Sequence, residues 1–339
     1  MRIVLIGFGS VGQAFAQLLD ERRTALYSRH GLTPRLVAVA DRGGAAICDR
    51  GLDAGALLAA KREQGTVAAA PQVGVRGAPR GELIADSGAD VLVEATPSDL
   101  RNPGPAIEHL KSAFRHGMHA VTVNKAPLAV ALPGLRELAE YNRVALRFSG
   151  TVGAGTPVLA LAEQCARGDE IVRIRAILNG TTNYILWRMH ESGASFEAAL
   201  AEATELGYAE TDPSADISGT DTATKVVILA NVILGRAATI RDVERHGIEG
   251  LPRERLERAA AEDRRVKLIG ELGDTLRVAP LEVEAHGPLD VPRNLNAVSL
   301  ELRRGGEVTL IGRGAGGVET ATAIVRDLID IWKTTGSHP

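Results

Sequence analysis

Apolar positions divide the chain into short buried runs and longer stretches at helical period. The run 2–6, R-I-V-L-I, leads straight into G-F-G-S-V-G and then A-F-A-Q-L-L, which predicts a strand, a glycine turn and a helix. Further apolar runs at 35–40, 90–94, 119–123 and 144–148 read as strands. Helices are expected at 54–61, 105–116 and 132–142, and 65–81 reads as loop with one short strand. Beyond residue 157 the pattern changes. A strand at 170–178 is followed by helices at 185–191, 195–206 and 219–234, then by a charged connection 236–265 with short helices. Four alternating runs at 266–271, 276–286, 297–303 and 307–311, separated by Gly and Pro turns, predict an antiparallel sheet. A glycine-rich segment, 312–317, opens a last helix at 318–332, which suggests that the chain returns to complete its first domain. The domains expected are 1–148 completed by 312–339, and 149–311.

The first glycine segment carries the clearest chemistry. Gly7, Gly9 and Gly12 have G-x-G-x-x-G spacing between a strand and a helix. Gly7 permits the tight turn, Gly9 lets the backbone approach a pyrophosphate, and Gly12 lets the helix sit close on the strand. The helix amino terminus then offers N–H groups and the positive end of its dipole to phosphates. The second strand ends at Asp41, an acid suited to the adenosine ribose of NAD, and Arg42 follows, suited to the 2′-phosphate of NADP. Lys61 is either a solvated helix residue or, if it folds back, an aid to Arg42. Thr96 with Pro97, and Lys125 after Asn124, stand at the carboxyl ends of two strands, where open α/β sheets bind ligands.

The segment 210–225, E-T-D-P-S-A-D-I-S-G-T-D-T-A-T-K, holds Glu210, Asp212, Asp216 and Asp221 and closes on Lys225. Pro213 and Gly219 make its first half a loop, and Ser218 is positioned to cap a helix beginning near Gly219 or Thr220. Asp221 and Lys225 then share one face of that helix. A lysine entering an apolar helix beside an acid is tuned for proton transfer; the same pair on a surface is an ordinary ion pair. Asn179 to Tyr184, N-G-T-T-N-Y, is a polar cluster after a strand: it lines a site, or it is a turn in which Thr182 or Asn183 caps a helix.

Composition narrows the class. With 339 residues, 45% hydrophobic and 24% charged, the chain is of globular type. Small residues, including 37 glycines, favour close helix-on-sheet packing. A net charge of −3 with no basic run gives no footprint for nucleic acid or anionic membrane. Two cysteines, Cys48 and Cys165, form no disulfide framework, and no signal peptide or membrane span is seen, so a cytoplasmic location is expected.

The motifs G-F-G-S-V-G, E-A-T-P, V-N-K-A-P-L-A, T-V-G-A-G-T-P, I-L-N-G-T-T-N-Y-I-L, G-Y-A-E-T-D-P-S-A-D-I-S-G-T-D-T-A-T-K and G-R-G-A-G-G-V-E-T-A together resemble those of homoserine dehydrogenases of the short form, over nearly the whole length. The resemblance implies an α/β fold: a Rossmann-type doubly wound parallel sheet with a second α+β catalytic and dimerisation domain. It implies NAD(P)-dependent interconversion of L-homoserine and L-aspartate 4-semialdehyde by a homodimer. Lys225 would give and take the hydroxyl proton, Asp221 would orient it, and Lys125 would hold substrate beside the nicotinamide. Glu210 and Asp216 would bind the substrate ammonium, with Gly180 and Thr181 in the same pocket. Gly7, Phe8, Gly9, Ser10, Val11, Gly12, Asp41, Arg42, Thr96, Pro97, Asn124, Lys125 and Gly314 would line the cofactor. The two lysines, one from each domain, would converge on the pyridine ring. Other readings are a relative acting on a different hydroxy amino acid, and a non-catalytic dinucleotide sensor.

The chain departs from the family twice. Family members usually carry a glutamate where Ser149 stands. That glutamate helps define a Na+ or K+ site with the backbone carbonyls of Val152, Ala154 and Thr156. No regulatory tail follows the last helix, so threonine feedback through one is not expected.

Overall fold

The computed structural model describes residues 1–335. The chain divides into two compact units, Met1–Thr151 with the segment from Gly316 onward, and Val152–Ala315. The division falls at 151/152 and 315/316, a few residues beyond the positions read from the sequence.

The first unit begins with β1 (Arg2–Ile6), α1 (Ser10–Glu21), α2 (Arg23–His30), β2 (Arg35–Ala40), β3 (Gly44–Ile47) and α3 (Ala54–Gln64). It continues with β4 (Gly74–Arg76), α4 (Arg80–Asp86), β5 (Val91–Glu94), α5 (Gly104–Arg115), β6 (His119–Thr122), α6 (Lys125–Tyr141) and β7 (Leu146–Arg147). Its seven-stranded sheet has the order β4-β3-β2-β1-β5-β6-β7. The strands from β2 to β7 pair in parallel, and β3 and β4 add antiparallel. A sheet with helices on both faces buries its strands on both sides, so they read as continuous apolar runs.

One element starts earlier than the sequence reading has it. Helix α6 starts at Lys125, not at residue 132: Asn124 caps it, and Pro127 falls in the first turn, where no N–H partner is needed. Pro133 lies inside the same helix, where the periodicity had suggested a new start.

The second unit contains α7 (Val158–Ala166), β8 (Ile171–Ile177), α8 (Gly180–Ser192), α9 (Phe196–Glu205), α10 (Ser214–Ile217) and α11 (Thr220–Ile233). Then come β9 (Val243–Arg245), α12 (Arg253–Ala261), β10 (Arg264–Leu272), β11 (Leu276–Glu284), β12 (Leu295–Leu302) and β13 (Gly306–Arg313). Its six-stranded sheet has the order β13-β12-β8-β10-β11-β9. Only β9 pairs in parallel. Gly270 of β10 lets α11 approach: a Cβ there would come within 2.7 Å of Val226 Cγ2.

Three local readings are corrected here. Helix α8 starts at Gly180, so the polar run 180–184 is its first turns, and its cap is Asn179 rather than Thr182 or Asn183. The stretch after Pro213 is the short helix α10, not loop. Helix α11 is entered through Gly219 in the left-handed region (φ 76°); Ser218 does not cap it, and its hydroxyl pairs with that of Thr220.

Finally α13 (Gly317–Thr335) completes the first unit. Ala321, Ile324, Leu328 and Ile331 join Phe15, Leu19 and Leu26 in one buried cluster.

Candidate active site

In the first unit the loop after β1 gives its three glycines different surroundings. A Cβ at Gly7 would fall 2.4 Å from the Ala95 carbonyl, and one at Gly12 would fall 2.2 Å from the Gly7 carbonyl. Gly9 faces open space within 4 Å. Helix α1 has no side-chain cap and no acid in its first turn, so its amide protons and positive dipole end remain for an anion. That end fits a dinucleotide pyrophosphate. Ser10 is exposed and Val11 half-buried, whereas Phe8 is buried in the core and offers only its backbone.

Asp41 is committed to the protein. One oxygen accepts from Gly43 N at 2.9 Å and Thr66 Oγ1 at 2.7 Å; the other accepts from Lys61 Nζ at 2.7 Å and Val67 N at 3.0 Å. Burial alone would raise its pKa, but Lys61, Thr66 and the two amides outweigh it and hold the carboxyl below its ordinary value. Lys61 therefore folds back, and does so onto Asp41, while Arg42 is exposed. The ribose role read for Asp41 has four donors to compete with.

At the ends of β5 and β6, Asn124 Nδ2 donates to Thr96 Oγ1 at 3.1 Å and to the Pro97 carbonyl at 3.2 Å, and Lys125 N donates to Ser98 Oγ at 2.9 Å. Lys125 is thus the first residue of α6, carried on a stitched pair of loops.

In the second unit the residues gather around α11. Lys225 is buried; its Nζ donates to the Leu178 carbonyl at 2.6 Å and to Asp221 Oδ2 at 2.7 Å. The helix otherwise offers an apolar wall of Val226, Val227, Ile228 and Leu229. The sequence reading named Asn179 only as the first residue of a polar cluster and gave it no role of its own. Its Nδ2 donates to Asp216 at 2.6 Å and to Asp221 at 3.0 Å, while its Oδ1 accepts from Thr182 N at 2.9 Å as the cap of α8. One amide thereby joins two carboxylates and, through Asp221, the lysine. Burial and the nearby Asp221 raise the Asp216 pKa, against hydrogen bonds from Asn179 and Thr181 and the charge of Lys225. Thr181 is buried and donates to the Tyr208 carbonyl at 2.7 Å, two residues before Glu210. Glu210 itself is exposed.

The remaining positions are placed as follows. Gly314 lies against Asn296, whose Nδ2 would be 1.8 Å from a Cβ at 314. Both polar atoms of that buried amide lack a partner. Ser149 donates its N–H at 2.9 Å and its hydroxyl at 2.5 Å to Asp327. The Thr156 carbonyl accepts from Val158 N at 2.8 Å, and Val152 and Ala154 are buried. Among the described residues no cluster of three or more His, Cys, Asp or Glu could hold a metal ion.

Comparison with known proteins gives matches over nearly the whole chain. The model of the homoserine dehydrogenase NAD-binding domain matches residues 7–149, and the homoserine dehydrogenase model matches 157–329. A homoserine dehydrogenase of Methanocaldococcus jannaschii is 42% identical, over 99% of both chains. An NAD(+)-dependent homoserine dehydrogenase of Pseudomonas canavaninivorans is 38% identical, over 97% of this chain and 96% of its own. Among solved structures, a hyperthermophilic archaeal homoserine dehydrogenase in complex with NADPH superposes with a TM-score of 0.86 at 30% identity, over 99% and 98% of the two chains. A homoserine dehydrogenase from Thiobacillus denitrificans gives 0.86 at 29% identity, over 100% of this chain and 75% of its own. Glycine loop, lysine-bearing helix and full-length matches lead to one conclusion: the chain belongs to the homoserine dehydrogenase family, NAD(P)-dependent oxidoreductases that interconvert L-homoserine and L-aspartate 4-semialdehyde.

Proposed function

We propose that Lys225 is the acid and base of this reaction, and that Asn179, Asp216 and Asp221 are its frame. The observation that carries this is a buried lysine nitrogen held by a carboxylate and a backbone carbonyl, just before the apolar run 226–230 of its helix. When bound, NAD(P) supplies the hydride acceptor or donor at its nicotinamide. In the oxidation Lys225 takes the hydroxyl proton of the substrate; in the reduction its ammonium returns one to the aldehyde oxygen. Asp221 holds the nitrogen in place. Asp216, with Glu210 at the rim, binds the substrate ammonium, and Gly180 and Thr181 border it. Lys125 meets the substrate carboxylate. The backbone of 7–12, with Ser10 and Val11, takes the pyrophosphate, and Arg42 the adenosine end.

We further propose a homodimer formed through the second unit's sheet. Among the described residues its outer strand β13 has no partner strand on one edge, and it carries the half-exposed Ile311. A cytoplasmic location is part of the same reading: Cys48 and Cys165 are free thiols, and no helix among the described residues is long and apolar enough to cross a membrane. A monovalent cation at the carbonyls of Val152, Ala154 and Thr156 would lack the usual glutamate, because Ser149 stands there and is spent on Asp327.

The experiment is absorbance at 340 nm with NAD and NADP against a panel of hydroxy amino acids. L-homoserine is expected to be preferred. Turnover of another hydroxy amino acid well above it overturns the substrate, and dinucleotide binding with no turnover of any overturns catalysis. Light scattering after size exclusion reads the dimer.

A further inference from the structure

Glu94 closes β5 with no exposed surface, and the proposed reaction gives it no task. A fully buried carboxylate persists only where donors surround it. Glu94 Oε1 accepts from Thr96 N at 3.3 Å and from the Thr96 hydroxyl at close range. Glu94 Oε2 accepts from Thr122 Oγ1 at 3.2 Å. The Nδ1 of buried His109 stands 3.6 Å from Oε1 and has no hydrogen-bond partner among the described residues.

Each of the two hydroxyls has a second partner, and both second partners belong to Asn124. Its Nδ2 donates to Thr96 Oγ1 at 3.1 Å, and its backbone N donates to Thr122 Oγ1 at 3.1 Å. Asn124 Oδ1 in turn accepts from Ala126 N at 3.0 Å as the cap of α6. A carboxylate accepts only, so it compels both hydroxyls to turn their protons toward it. That leaves their lone pairs to Asn124. A neutral amide of the same size could not do this: one of its ends donates, and the hydroxyl facing it would accept from both amides and lose the acceptor for its own proton.

We propose that Glu94 is a positioning residue for Lys125, acting through Thr96, Thr122 and the Asn124 cap. Thr96 and Asn124 then serve this clamp with their side chains. The proposal rests on the role given above to Lys125.

The test is a double-mutant cycle on kcat/KM for L-homoserine with wild type, Glu94→Gln, Lys125→Ala and the double variant. Glu94→Gln is expected to lower kcat/KM by about tenfold or more in the wild-type background, and by less than about twofold once Lys125 is gone. A similar loss in both backgrounds means a merely structural role and overturns the proposal; so does an effect below about twofold in wild type. Thr122→Val, which cuts the relay and spares the charge, gives the same reading should Glu94→Gln not fold. The rate at which pyridoxal phosphate with borohydride labels Lys125, followed by peptide mass spectrometry, needs no turnover. It should change by about threefold or more in either variant. An unchanged rate overturns the role of Glu94 even in a chain that oxidises no L-homoserine, a result that would separately overturn the proposed function.

Discussion

Lys225 and Asp221 lie one turn apart on α11 and meet at 2.7 Å, the lysine side chain 8% exposed and the aspartate 15%. Such a pair is not a surface ion pair, because removal of either partner leaves the other charge buried. Lys225→Met, which keeps the side-chain volume, is expected to lower kcat by roughly 10² or more while leaving dinucleotide affinity near wild type. A fall of less than about threefold would refute the assignment.

Asn179 does two jobs with one side chain. Asn179→Ala removes the α8 cap, which costs roughly 1 kcal/mol of stability. It also removes both donors between Asp216 and Asp221. KM for L-homoserine should rise by about tenfold or more. Thr182→Ala, a change next to the cap that spares both carboxylate contacts, should leave KM within about twofold. Equal KM values for the two variants would mean that the amide serves only the helix.

The acid limb of the reduction, in which Lys225 gives its proton, should belong to Asp216. Burial and Asp221 raise its pKa, so it keeps a proton to higher pH than an ordinary aspartate and then cannot bind an ammonium. kcat/KM for L-aspartate 4-semialdehyde should therefore decline on acidification at a pH above the usual aspartate range. Asp221→Asn removes the neighbouring negative charge and should move that limb to lower pH, whatever it does to the plateau. An unmoved limb would assign the titration elsewhere.

Asp327 is buried and its pKa is raised to about 6 by that burial, despite two hydrogen bonds from Ser149. The folded chain therefore holds a proton that the unfolded chain has released between roughly pH 4 and pH 6. This group's contribution to stability is greatest below the unfolded value and is lost as pH rises through the folded one, a difference of roughly 3 kcal/mol. Asp327→Asn should gain Tm relative to wild type as pH goes from about 4 to about 8. A Tm difference that stays flat with pH contradicts this.

Gly9 and Gly12 should separate binding from folding. Gly9→Ala adds a methyl where nothing stands within 4 Å, so Tm should hold while NAD(P) affinity falls by about tenfold or more. Gly12→Ala places the same methyl 2.2 Å from a backbone oxygen, so Tm itself should fall. Loss of Tm in both variants would show that the loop serves packing alone.

What could be read in advance follows the range of the interactions. The β1 turn, the Asp221–Lys225 pair and the antiparallel strands rest on neighbours within a few residues, and the chain shows them in one dimension. Asn179 reaches Asp216 across 37 positions and Glu94 reaches Thr122 across 28, so no local window reveals either. The late start read for α6 has another cause. A proline often breaks a helix, but in a first turn, where Pro127 stands, it costs little, and α6 spans 17 residues with Pro133 inside it.

Helix α13 has a consequence for the order of synthesis. The ribosome must make all of Val152–Ala315 before it makes the segment that seals Phe15 and Leu19 from water. The half begun first is finished last, and until then it presents an apolar flank that a chaperone would recognise and a protease would find.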